Sequence, residues 1–200
     1  MADFAIDARH TALLIGDYYA EVMGTLSHAV SRHCLDRTVT LRERVRAAGM
    51  LVCYSATVFR PGYPEIHERN KLFAPRKRSK QPAVADPLDL IHAAVKPAAG
   101  EPVIGKHRVN AFYGTDLAVV LGAGRIHTLI LLGFATSGVV LSTTRHASDA
   151  DYRVIVVEDC CADRQAAVHD FLCQQIFPFQ ADVVQSADVI RALDAQQPQS

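Results

Sequence analysis

The sequence predicts an α/β protein: a three-layer α/β/α sandwich around a mostly parallel, Rossmann-like sheet. Three observations carry this. Four short apolar runs recur along the chain, helical patterns fill the intervals between them, and two of the runs stop abruptly at acidic residues. Strands covered on both faces read as continuous apolar runs, and their alternation with helices is the pattern of a doubly wound sheet.

Thr11 to Gly16 (TALLIG) is the first run and predicts a strand over 11–17, closed by Asp17, Tyr18 and Tyr19. Ser27 to Ala48 has a helical pattern, with a break expected near Asp36. Leu51 to Phe59 (LVCYSATVF) is β-branched and aromatic, predicts a strand over 50–57, and stops at Arg60-Pro61-Gly62. Thr115 to Gly122 reads as a helix opened by a threonine cap and closed by glycine. His127 to Phe134 (HTLILLGF) predicts a strand over 127–134, and Ser137 to Ala147 the helix that follows. Tyr152 to Val157 (YRVIVV) predicts a strand over 152–158 ending at Glu158-Asp159, and Arg164 to Ile176 is the next helical pattern.

Arg60 to Gly100 breaks this rhythm. It holds six prolines and the basic run Arg76-Lys77-Arg78-Ser79-Lys80. Between Arg60 and Lys80, seven basic residues stand against Glu65 and Glu68, a local net of +5. No aromatic side chain is interleaved with the basic run, so a solvated surface loop is expected rather than a nucleic-acid site. Asp149 to Asp170 carries six acids against Arg153 and Arg164, a local net of −4. The two stretches are expected to complement each other, within a subunit or across an interface. Gln196 to Ser200 is a short polar tail.

A chain of 200 residues suits a single domain, 1–200. Half of it is hydrophobic, and 21 basic residues balance 21 acidic ones, which argues against binding nucleic acid through bulk charge. No apolar run approaches the roughly 18 residues of a membrane span. The opening MADFAIDARH is too charged for a signal peptide, so a cytoplasmic location is expected. The five cysteines, Cys34, Cys53, Cys160, Cys161 and Cys173, form no C-x-x-C pair, and buried reduced thiols are the expected state.

In open parallel sheets, ligands bind beyond the carboxyl ends of the strands. Asp17 leaves an apolar strand there, so desolvation favours its protonated form and suits it to acid–base work. Lys106 follows Val103-Ile104-Gly105, an apolar approach that turns its amine inward toward such a carboxylate. Phe112 and Tyr113, in the stretch VNAFYGT, are candidate pocket walls. Gly133 to Val139 (GFATSGV) takes a buried strand through small residues into a helix, whose first N–H groups favour a negatively charged oxygen.

Together these segments resemble the isochorismatase-like hydrolase superfamily, which includes nicotinamidases, carbamoylases and isochorismatases. The resemblance runs from about Thr11 to Ala192. It rests on ALLIGD ending at Asp17, KHRVNAFYGT from Lys106, GFATSGVVLSTTRHA from Gly133, and VIVVEDCCAD from Val154, in the family's order and near its spacing. The resemblance implies the isochorismatase-like fold, and catalytic roles for Asp17 and Lys106. The family's cysteine position falls on Val139, and its glutamine two residues after the aspartate is Tyr19 here. The family's Asp-x-His metal stretch is Ser55 to Phe59 (SATVF), so neither a metal nor any other cofactor is implied. Backbone groups of Ala135 and Val139 would supply oxyanion donors. Tyr19, Arg60, Phe112 and Ser137 complete the expected substrate contacts.

Valine offers no nucleophile, so thioester chemistry is closed at that position. The resemblance implies an alternative: hydrolysis of a vinyl ether, in which the aspartate protonates the enol carbon and water adds to the resulting cation. A cysteine-independent hydrolase acting on a small molecule is therefore the leading expectation. A non-catalytic binding member is the second, and an amidase with a displaced nucleophile, Ser137, Cys160 or Cys161, the third. The nine histidines show no triad spacing. A pocket holding Asp17 and Lys106 in hydrogen-bond contact favours the first reading; one filled by Tyr18, Tyr19 or Phe112 favours the second. A homo-oligomer, dimer or tetramer, is expected from the opposed charges, the proline-rich segment and the resemblance.

Overall fold

The structure, a computed structural model, describes residues 5–23 and 25–195. The polar tail Gln196 to Ser200 and the first four residues of the chain lie outside them. In chain order the elements are β1 (Thr11–Gly16), α1 (Ala20–Met23), α2 (Ser27–Ser31), α3 (Cys34–Ala47) and β2 (Leu51–Thr57). Next come α4 (Ala74–Arg78), β3 (Val103–Lys106), α5 (Leu117–Ala123) and β4 (Thr128–Gly133). The chain continues through α6 (Leu141–Asp149), β5 (Arg153–Val157), α7 (Ala166–Phe171), β6 (Asp182–Val184) and α8 (Ser186–Asp194).

The six strands form one sheet in the order β3-β2-β1-β4-β5-β6, and every neighbouring pair is parallel. This is the α/β sandwich the apolar runs predict. All six residues of β1 and all six of β4 are buried, as central strands covered on both faces require. β3 and β6 escape the sequence reading. They are the edge strands, four and three residues long and partly exposed, so neither contains enough buried residues to show as a run.

The strand order reverses between β1 and β4. Chain leaving β1 builds outward through β2 and β3; chain leaving β4 builds the other way. A crevice opens at such a switch point, beyond the carboxyl ends of the two central strands. Two glycines allow it here. Gly16 and Gly133 are register partners at the ends of β1 and β4. A Cβ on Gly133 would lie 2.6 Å from the Gly16 carbonyl oxygen, a backbone clash no rotamer relieves. A Cβ on Gly16 would press on the two Val139 methyl carbons at 3.0 and 3.2 Å. The glycine pair thus lets the turn after β4 fold down over the end of β1.

Several local expectations are corrected. The helical stretch Ser27 to Ala48 breaks at Arg32-His33, where His33 is left-handed at φ +53°, rather than at Asp36. Asp116, not Thr115, occupies the cap position of α5; the Thr115 hydroxyl donates to the Ala111 carbonyl at 2.6 Å. The proline-rich segment is no merely solvated loop. Phe59, Tyr63 and Ile66 form a small buried cluster of their own, with Phe73 packed against it. Arg76, Lys77 and Arg78 of the basic run lie in α4. Within the chain, no ion pair of the described residues joins the two charged stretches. Arg60 and Arg78 bind Glu65 and Glu68, while Glu158 and Asp159 bind Arg32 and Arg37. Among the described residues, no helix is long and apolar enough to cross a membrane.

Candidate active site

Asp17 is the first residue past β1. Its backbone turns at φ +54°, a left-handed conformation that aspartate tolerates better than most side chains. The turn carries the carboxyl out of the strand yet leaves it only 7 % exposed. Lys106, the last residue of β3, is fully buried. The period-two alternation of a strand places it on the same face as buried Ile104. Its Nζ donates to Asp17 Oδ2 at 2.7 Å, to Thr57 Oγ1 at 2.5 Å and to the Arg108 carbonyl at 3.3 Å. All three ammonium protons therefore have acceptors, as a buried charge requires.

The other carboxylate oxygen is held from the opposite side. Tyr19 Oη donates to Asp17 Oδ1 at 2.6 Å, and the Thr57 hydroxyl lies 3.5 Å from the same oxygen. The Thr57 backbone N–H donates to Tyr19 Oη at 2.7 Å. Burial pushes the Asp17 carboxyl above the ordinary carboxylate range, against the opposing pull of Lys106, Tyr19 and Thr57. Tyr19, half-buried and facing a carboxylate, has its phenol pushed well above the usual range by desolvation and by Asp17.

These groups line a cavity of about 530 Å³. Asp17, Tyr19, Thr57 and Lys106 stand on its wall, with Ala135, Gly138 and Val139 from the turn after β4. In that turn Gly138 leaves the helical region, at φ −101° and ψ −108°, before α6 begins. Leu72, Phe73 and Arg76 reach the cavity from the proline-rich segment, and Arg164 reaches it from the turn before α7.

Of the residues the sequence singles out, Asp17, Lys106, Tyr19, Ala135 and Val139 share this cavity; Arg60, Phe112 and Ser137 do not line it. Arg60 is exposed and pairs with Glu65 at 3.1 Å. Phe112 is buried and stacks on His146, ring centroids 4.5 Å apart. Ser137 is exposed, and its N–H donates to Asp163 Oδ2 at 2.7 Å. Tyr18 points away into the core, where its hydroxyl contacts Thr38 and the Cys160 carbonyl. Cys160 and Cys161 do not approach the rim. Both are fully buried, with burial pushing both thiols far up in pKa, and none of the five cysteines lines the cavity.

Sequence reasoning missed three features. Thr57 ends β2 beside Asp17, and the strand-end rule applied to Asp17 would have found it. Arg76 carried no signal apart from its charge. The third is a buried string: Thr136 Oγ1 lies 2.8 Å from His169 Nδ1, and His169 Nε2 lies 3.5 Å from Glu158 Oε1. Thr136 and His169 are fully buried and off the cavity, so the string anchors the turn to α7 and the end of β5 rather than presenting a nucleophile. Asp163 closes the same turn, its backbone N–H and carbonyl both within 3.3 Å of His28 Nδ1.

Comparison with known proteins agrees with this fold. The chain is 29 % identical over 159 residues to maleamate amidohydrolase of Pseudomonas putida, covering 80 % of this chain and 74 % of that protein. It is 31 % identical over 161 residues to N-carbamoylsarcosine amidase of Arthrobacter, covering 78 % of this chain but 59 % of that protein. A solved isochorismatase family protein from Burkholderia thailandensis superimposes with a TM-score of 0.81 at 27 % identity, covering 95 % of this chain and 98 % of the other. The family model for the isochorismatase domain matches residues 11–188, and the chain belongs to that family of hydrolases.

Proposed function

We propose that the protein hydrolyses a small molecule without a covalent thiol intermediate, with Asp17 as the general acid and base and Lys106 as its electrostatic partner. One observation carries this: a buried Asp17–Lys106 pair, 2.7 Å apart, on the wall of an open cavity that no cysteine lines. The pocket is not filled by Tyr18, Tyr19 or Phe112, which weighs against a member that kept only the scaffold.

The chemistry that best fits is hydrolysis of a vinyl ether. Asp17, its proton affinity raised by burial, donates a proton to the enol carbon. The ether oxygen stabilises the cation that forms at the adjacent carbon. Water adds there, and the Asp17 carboxylate takes up the proton the water releases. The hemiketal then collapses to a ketone and an alcohol, so one water is consumed and the acid is regenerated. Lys106 keeps the carboxyl oriented through both transfers. Backbone groups at Ala135 and Val139 are proposed to face developing negative charge on the substrate.

The relatives' names favour a second reading, an amidase acting on an amide or carbamoyl bond. That reading needs a nucleophile other than a cysteine, and the hydroxyls lining the cavity, those of Tyr19, Thr57 and Ser79, have no histidine beside them there. A screen of enol ethers, amides and N-carbamoyl compounds, run against Asp17→Asn, separates the two. Turnover confined to enol ethers supports the first reading, and turnover confined to amides replaces it with the second. We further propose a cytoplasmic homo-oligomer, a dimer or tetramer; light scattering that returns the 21.8 kDa monomer mass would refute this.

A further inference from the structure

Arg76 is unusual among the cations of this chain. It is half-buried on the cavity wall, yet it makes no ion pair among the described residues. Its Nε is buried and has no hydrogen-bond partner. The guanidinium lies over the Phe59 ring, 5.8 Å from the centroid, and Phe59 belongs to the small cluster under the proline-rich segment. The ring attracts the positive charge without neutralising it.

A second chamber of about 100 Å³ adjoins the main one, and the two share Tyr19, Thr57 and Arg76. Arg76 therefore stands at the junction, on the same wall as the hydroxyl that holds Asp17. Glu21 and Asp89 line the smaller chamber, but neither forms an ion pair with Arg76. Among the described residues the one acid lining the main cavity is Asp17, already paired with Lys106. The remaining charges lining it, Arg76 and Arg164, are both positive, and neither has an ion-pair partner among the described residues. A cation on a cavity wall without a counter-charge gains one when an anionic ligand binds beside it.

We propose that Arg76 is a binding site for a carboxylate group of the substrate, placed where the two chambers meet. A carboxylate fits better than a spherical or tetrahedral anion, because its two oxygens match the parallel donors of a guanidinium fork. The proposal rests on reading the cavity as the substrate site. It also gives the basic run of the proline-rich segment a purpose, since part of that run lies in α4, which carries Arg76 to the wall.

Succinate and its neutral diamide, succinamide, test this by calorimetry on the intact protein, without any knowledge of the substrate. Succinate is expected to bind saturably and succinamide at least about tenfold more weakly. Arg76→Gln should weaken succinate about tenfold or more, while Arg76→Lys, which keeps the charge but loses the fork, should recover only part of that. Arg164→Gln, at an exposed position, should matter less. Asp17→Asn should leave succinate binding in place, so loss of catalysis and loss of this site are separable. Absence of saturable succinate binding, equal binding of succinamide, or a loss confined to Arg164→Gln would overturn the proposal. Circular dichroism of each variant shows whether a loss reflects unfolding. If Arg76→Gln does unfold, Arg76→Lys decides: undiminished succinate binding there contradicts the fork.

Discussion

The Tyr19 hydroxyl donates to Asp17 Oδ1, and the direction of that bond is set from behind. The Thr57 backbone N–H can only donate, and it fills the acceptor side of Tyr19 Oη at 2.7 Å. The single phenol proton is left to face Asp17, 2.6 Å away. A donor in that position stabilises the ionised carboxylate and so opposes the upward push of burial.

Removing the hydroxyl while keeping the ring should expose this. In Tyr19→Phe the Asp17 carboxyl should become harder to ionise. An acid that works protonated loses activity as pH rises through its pKa. The descending limb of the pH–rate profile should therefore move to higher pH, by roughly one unit. A carbon-13 titration of the Asp17 carboxyl reads the same shift without substrate. A limb or midpoint that stays put, or moves to lower pH, contradicts the assignment.

Val139 offers a second probe. All five native thiols are buried, and burial lifts Cys34 to about 11 and both Cys53 and Cys173 to about 12. Iodoacetamide should therefore react slowly with the native protein and leave its turnover intact. Val139→Cys is close in volume and places a thiol on the cavity wall, in the turn leading into α6. A helix start and a nearby ammonium both favour the thiolate, so this thiol should alkylate faster than a free cysteine of pKa about 8.5. Labelling no faster than free cysteine would mean that Val139 does not face an open, electropositive pocket. Native turnover lost to a label on Cys160 or Cys161 would revive a displaced nucleophile.

The positions of the central strands were legible because β1, β2, β4 and β5 are buried enough to read as apolar runs. Asp17 was legible for a related reason, since it stands where such a strand ends; Lys106 was legible from the apolar Val103-Ile104-Gly105 before it, although β3 itself was not, and topology brings both strand ends to a common crevice. Arg60 also follows a strand end, but the Pro61-Gly62 turn leaves it with Glu65 instead. Phe112 is placed by stacking on His146 of α6, a contact between distant segments that no local pattern announces. Arg76 lies in the short helix α4, too brief for its period to show in the sequence, and the packing of Phe59, Tyr63 and Ile66 beside it seats that helix at the cavity.

Glu158 links the site's scaffold to pH. The His169 ring, the Arg32 guanidinium and the Gln185 amide hold its carboxyl at about 2, against an ordinary 4.5. A carboxyl depressed in the folded state stabilises the fold above its unfolded pKa and loses that contribution as pH falls toward its folded one. Glu158→Gln should therefore cost about 2–3 kcal/mol near neutral pH, measured by urea denaturation. The gap to the native protein should close between about pH 4.5 and about pH 2. A gap independent of pH would show that the charge on Glu158 is not what anchors the turn.

The most direct test of the account is the turnover of Asp17→Asn on the enol ether the native protein hydrolyses best. The amide keeps the shape, and its oxygen can still accept from Lys106, but it has no proton of suitable acidity to give. kcat should fall by on the order of 10²-fold or more, the usual scale for loss of a general acid–base group. Turnover within a few-fold of the native rate would make Asp17 a structural partner of Lys106 and contradict the mechanism.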